Sequence, residues 1–177
     1  MEKLVKKEKD ISFVLDMRTI TKKGSSFILT ATKTQCDELA LFYELPAINQ
    51  LTFEFEAFLN KEGLTEIRGF LKANVVEICV VSTDKFEECL KNDVTLLFSE
   101  DEAYVKMQEN RVDFSPEEEL VEYAKNGRIY FLDVVREQLG LMLNPFPKKT
   151  DEPFSYYEEK AEEIKENPFS VLKHLTK

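Results

Sequence analysis

Three cysteines, one histidine and a dense run of carboxylates are the side chains of this 177-residue chain with the means to do chemistry. Cys36, Cys79 and Cys89 form an odd set without close spacing, whereas a structural zinc site is built from ligand pairs about two to four residues apart. No metal is expected. Cys79 and Cys89 could face each other across a hairpin at Asp84-Lys85, but cysteines in strands are more often inert packing residues. The only histidine, His174, lies three residues from the end and leaves a nucleophile without an ordinary general base, so it reads as a surface residue. Carboxylate pairs abound between Glu100 and Glu122, and a metal-dependent hydrolase or ribonuclease would select two of them. Nothing in the sequence selects which two, and an acidic run is more often a solvated loop. Gly24, Gly63, Gly69, Gly127 and Gly140 are too scattered for a phosphate loop, so no nucleotide or other cofactor and no small-molecule substrate is expected.

The basic residues carry a different chemistry. Lys22-Lys23 falls on a turn, Lys148-Lys149 follows Pro147, and Arg128 and Arg136 are near the latter pair in sequence. These six are the candidate nucleic-acid contacts, exposed and able to neutralise phosphates. Lysines in turns also serve solubility alone, and no aromatic ladder interleaves with the arginines. The net charge of −10 has the wrong sign for an ordinary polyanion binder. Much of it is local: Glu100 to Glu122 holds nine acids against Lys106 and Arg111, and Asp151 to Glu166 holds seven against Lys160 and Lys165. The remaining body is close to neutral, with a weakly basic face.

The elements that must position these groups are mostly strands. Ile11 to Leu15 and Ser26 to Ala31 read as a first strand pair, separated by Lys22-Lys23-Gly24-Ser25. Thr34 reads as a helix N-cap with Asp37 in the capping-box place; the helix runs to about Glu44 with Leu39, Phe42 and Leu45 toward the core, and Pro46 stops it. Leu51 to Leu59 alternates apolar and polar residues, as a half-buried strand does. Asn60 to Gly63 turns the chain into Leu64 to Thr83, a run long enough that Gly69 should bend or bulge it. From Val75 to Val81 nearly every residue but Glu77 is apolar, which predicts a central strand covered on both faces. Phe86 to Phe98 completes an antiparallel meander with Val94 to Phe98 deepest. An acidic loop from Glu100 to Tyr123 follows, with strands expected near Tyr104 to Met107 and Arg111 to Phe114, and a turn or helix start at Ser115 to Glu118. Gly127 to Phe131 reads as a short strand leading to a helix capped by Asp133, which presents Val134, Val135, Leu139, Met142 and Leu143 and is ended by Asn144-Pro145-Phe146-Pro147.

The fold class expected is therefore α+β: a mainly antiparallel sheet, a meander able to close like a barrel, with two packed helices and a C-terminal tail. Domain organisation follows as a β-rich domain over residues 1–148 and a charged tail with an apolar end over 149–177. Met1 to Asp10 alternates lysines and acids without an apolar signal segment, no run is long enough to span a bilayer, and the thiols suit a reducing compartment. A cytoplasmic protein without membrane contact is expected.

The order of features resembles a known family. Gly69-Phe70-Leu71-Lys72-Ala73, Glu77-Ile78-Cys79-Val80-Val81, Gly127 to Asp133, Val135 to Leu139, Asn144 to Lys148 and the closing Asn167 to Leu172 are similar to the YceD family of large ribosomal RNA subunit accumulation proteins, in its alphaproteobacterial form. Glu38-Leu39-Ala40 and Leu45 to Ile48 fit the same pattern, so the resemblance covers nearly the whole chain. It implies a bacterial cytosolic factor without established catalytic activity, needed for accumulation of 23S ribosomal RNA and hence for large-subunit biogenesis. Its partners would be the pre-ribosomal large subunit, through 23S rRNA or through a ribosomal or assembly protein. Many relatives carry a Cys-x-x-Cys pair in the central strand; here Cys79 fits the first position and Ser82 stands in the second.

Overall fold

The computed structural model describes residues 6–109 and 120–149. In chain order these form β1 (Lys7–Asp10), β2 (Val14–Asp16), β3 (Ser25–Thr30), α1 (Lys33–Phe42), β4 (Ala47–Leu59), β5 (Thr65–Ile78), β6 (Lys85–Ser99), α2 (Glu102–Glu109), β7 (Val121–Tyr123), β8 (Arg128–Tyr130) and α3 (Phe131–Met142). One sheet takes the order β1-β3-β4-β5-β6-β7, and β2 and β8 pair in a separate antiparallel ribbon. The β1/β3 and β6/β7 pairs are parallel; the other pairs of the large sheet are antiparallel.

The α+β class with a largely antiparallel sheet is as expected, and two details are corrected. The sheet does not close into a barrel: β1, with four exposed charged residues, forms one edge, the kind of strand that discourages further pairing. Three helices are present among the described residues, not two. The third, α2, occupies the place expected for a strand near Tyr104 to Met107, because the Asp101 carboxylate accepts from the backbone N–H groups of Ala103 and Tyr104 and so caps a helix start. The strand expected near Arg111 to Phe114, the turn at Ser115 to Glu118 and the tail beyond Lys149 lie outside the described residues.

The first strand pair is corrected too. Residues 11–15 do not pair with β3; instead β1 lies parallel to β3, while Val14–Asp16 pairs with β8 far along the chain. The α1 cap is Thr32, whose hydroxyl accepts from the Gln35 N–H while the Gln35 side chain accepts from the Thr32 N–H, so the capping box sits two residues before the expected one. That shift turns Cys36, Leu39 and Ala40 inward and leaves Phe42 61% exposed. Likewise α3 begins at Phe131 with Tyr130 at its N-cap, and Asp133 lies in its first turn.

Strands β4 and β6 follow the predicted alternation, and β5 alternates as well. Leu51, Phe53, Phe55, Ala57, Ile67, Leu71, Ala73, Val75 and Val94 fill one face. On that face lie α1 and α3, and the Phe131 ring stacks on Phe55 at 4.4 Å between centroids and meets Phe53 and Phe13. Gly69 makes no bulge; it pairs in register with Phe55 and Val94, and the irregularity of the pairing falls between Ile48 and Gln50. A Cβ at Gly69 would come within 2.9 Å of the Phe53 ring and closer still to the β4 backbone, so glycine makes room for the aromatic cluster.

Residues 75–81 are not covered on both faces. The strand ends at Ile78, 46% exposed, and a turn closed by Thr83 N–H to Cys79 C=O and Cys79 N–H to Asp84 C=O leaves Val80 and Val81 in the open. Among the described residues α1 and α3 lie on one face of the sheet, and half of this apolar run meets solvent. Cys89 pairs with Asn74 and is exposed, so it does not face buried Cys79 across the hairpin.

Candidate binding surface

The face of the sheet away from α1 and α3 is built by the alternate residues of β3 to β6, and their register sets its chemistry row by row. Glu54, Phe70 and Asp93 stand directly opposite one another across three strands. The next row, toward the β4–β5 turn, holds Ser26, Glu56, Arg68 and Thr95; the row on the other side holds Thr30, Thr52, Lys72 and Lys91. Phe70 is 39% exposed. The Arg68 guanidinium lies 5.5 Å from the centre of the Phe58 ring and pairs with the carboxylate of Glu66, itself buried. Lys6 Nζ sits 2.6 Å from Glu54 Oε2. Two cavities open on this face and share Arg68: one of about 490 Å³ between Phe58, Glu66 and Leu97, the other of about 240 Å³ between Glu54, Glu56, Phe70 and Asp93. Glu54, Glu56, Asp93, Phe58 and Phe70 thus lie toward the β4–β5 turn together with Arg68, and Lys72, Lys85 and Lys91 toward the opposite end together with Glu87.

The turn that fixes this register is legible in its residues. The Asn60 side chain accepts from the N–H groups of Glu62 and Leu64, and Gly63 takes a φ of 83°. Nothing in the sequence marks Phe70, Glu54 or Asp93, because each is ordinary alone. A turn taken as Asn60 to Gly63 sets Glu54 opposite Gly69; the observed closure of Asn60 N–H on Leu64 C=O, with Lys61 to Gly63 between them, moves the register by one and sets Glu54 opposite Phe70.

The six basic residues singled out by sequence are not brought together. Lys22 and Lys23 are exposed on a turn whose Thr21 C=O accepts from Leu59 N–H, at the far end of β4. Lys148 and Lys149 follow Pro147, whose C=O accepts from Val80 N–H beyond the opposite end of β5. The thirteen residues of β4 separate the two ends, about 40 Å of strand. Arg128 is exposed on β8 and lines a cavity of about 180 Å³ with Glu122, Asp133 and Glu137. Arg136 lies 5.0 Å from the centre of the Phe42 ring and 3.7 Å from an Asp133 oxygen, so its charge already has a partner.

Among the described residues two carboxyls hold their protons unusually well. Burial, then a hydrogen bond to Glu88 and repulsion by its charge, push Glu77 up to about 7. Burial, then the Glu137 carboxylate, do the same for Glu122, also to about 7. Glu77 is enclosed and 1% exposed, out of reach of a substrate; Glu122 borders a cavity and has a proton available near neutrality. The Cys79 thiol is drawn below its ordinary pKa by hydrogen bonds from the backbone N–H of Lys149, from the Ser82 N–H and hydroxyl, and from the Val81 N–H. Ser82 thereby serves Cys79, and Cys79 ties the segment after α3 to the β5–β6 turn. Among the described residues no three His, Cys, Asp or Glu side chains are grouped to hold a metal ion. No helix of these residues is long and apolar enough to cross a membrane. Comparison with protein-family models, with curated proteins and with solved structures finds no match to the chain.

Proposed function

We propose that this protein is a non-enzymatic accessory factor of large ribosomal subunit biogenesis, acting in the cytoplasm by binding a basic ribosomal or assembly protein. The observation that carries the protein partner over direct contact with 23S rRNA is the outer sheet face, where Glu54 and Asp93 flank an exposed Phe70 while the six candidate phosphate contacts are dispersed over the molecule. A net charge of −10 favours encounter with basic proteins in the same sense. The ribosomal context comes from the resemblance of Gly69 to Ala73, Gly127 to Asp133 and Asn144 to Lys148 to the YceD family. Recovery of the tagged full chain from its own cells, with sequencing of both the RNA and the protein that accompany it, tests the proposal. Basic large-subunit or assembly proteins that survive ribonuclease treatment are expected; material lost entirely on ribonuclease treatment, or free of ribosomal components, contradicts it.

A second reading, a hydrolase or ribonuclease, is favoured only by Glu122, whose proton is held to about 7 beside Glu137 at a cavity. Cleavage of precursor RNA by the purified protein, with and without divalent metal and abolished by Glu122→Gln, is its signature. Absence of cleavage under every metal removes it.

A further inference from the structure

We propose that the cavity bordered by Glu54, Phe70 and Asp93 receives a lysine or arginine side chain of a protein partner, which rests on the reading above that the partner is basic. Directly opposed residues on neighbouring strands stand about 5 Å apart, so a carboxylate flanks the exposed Phe70 ring on each side. A cation over that ring meets the negative π face and two carboxylates at once, with Glu56 on the same cavity wall.

The structure holds two examples of the same chemistry on this face. The Lys6 ammonium is seated on Glu54 at 2.6 Å, in the same cavity. Its side chain is 53% exposed, and an exposed single pair of this kind is weak enough for a partner's cation to displace it. In the adjoining row the Arg68 guanidinium lies over Phe58. At about 240 Å³ the cavity suits one inserted side chain; drug-sized ligands occupy about 300 Å³ or more. A phosphate entering here would meet Glu54, Glu56 and Asp93, while the two cations of the cavity are already paired, Lys6 with Glu54 and Arg68 with Glu66, so RNA on this face would settle instead on Lys72 and Lys91, which oppose each other one row away.

The test uses the full chain and a fluorescent dodecapeptide of alternating arginine and alanine, with a glutamine-for-arginine peptide as control. Phe70→Thr, which keeps strand propensity, is expected to weaken binding by about threefold to fivefold, and Phe70→Tyr to restore it. Glu54→Gln combined with Asp93→Asn is expected to weaken it by about tenfold and to flatten its salt dependence. Unchanged affinity in both variants overturns the proposal. So does displacement of the peptide by single-stranded RNA whose own binding is lost in Lys72→Glu/Lys91→Glu. If ribosomal proteins are recovered from cells equally by wild type and Phe70→Thr, the site fails and the functional reading stands. If the peptide binds at Phe70 but no ribosomal protein is recovered, the site stands and the functional reading fails.

Discussion

Glu77 on β5 and Glu88 on β6 share a hydrogen bond between two carboxyl groups, a contact that requires a proton on one of them. In the unfolded chain Glu77 ionises near its ordinary value of 4.5, whereas in the fold burial and Glu88 keep it protonated up to about 7. Between those values the unfolded state binds fewer protons, so stability falls as pH rises through this window and is fullest below it. Glu122 adds to the same trend. Thermal unfolding followed from pH 4.5 to 8 is expected to show the decline, and Glu77→Gln to raise the midpoint at the alkaline end by about 5 °C. A midpoint that rises with pH across the window contradicts the assignment.

Gly69→Ala places a methyl against the β4 backbone and 2.9 Å from the Phe53 ring. The aromatic cluster of Phe13, Phe27, Phe53, Phe55 and Phe131 leaves little room to give. A loss of about 1–3 kcal/mol in denaturant unfolding is expected. A neutral result would show that β4 shifts freely.

Thr32→Ala removes the hydroxyl that caps α1 and is expected to cost about 1 kcal/mol, while Thr34→Ala, inside the helix, changes stability little. Urea unfolding of the two variants side by side decides between the observed capping box and the one expected from Thr34 and Asp37.

The difference between those two threonines shows what the sequence carries. Thr32 and Thr34 are both good cap residues, but three positions on Thr32 has Gln35, a capping-box residue, whereas Thr34 has the shorter Asp37, and the observed start also turns Cys36, Leu39 and Ala40 to the core. The meander was legible because Leu51, Phe53, Phe55 and Ala57 alternate and the Asn60 to Gly63 turn has its own chemistry. The parallel pairing of β1 with β3 and the antiparallel pairing of Val14–Asp16 with β8 join segments whose local pattern names no partner. The apolar run from Val75 to Val81 read as doubly covered because composition cannot tell a second layer from solvent. The candidate site was illegible for a related reason: Glu54, Phe70 and Asp93 belong to three strands, and only the register makes them neighbours.

Cysteine accessibility gives an independent check on the fold. Cys89 is exposed, whereas Cys36 and Cys79 are buried, and burial also raises the Cys36 pKa. A bulky maleimide is expected to label Cys89 alone in the native state and all three thiols after unfolding. Native labelling of Cys79 at a comparable rate would mean that the contact between Lys149 and the β5–β6 turn opens readily.

The central claim, that this chain works by holding a basic protein, is tested most directly by titrating the purified full chain separately with isolated large-subunit proteins and with large-subunit RNA at low and at moderate salt. Binding to protein that weakens with salt, with no comparable binding to RNA, is the expected result. Binding to RNA that disappears in Lys148→Glu/Lys149→Glu, with no protein bound, would contradict it.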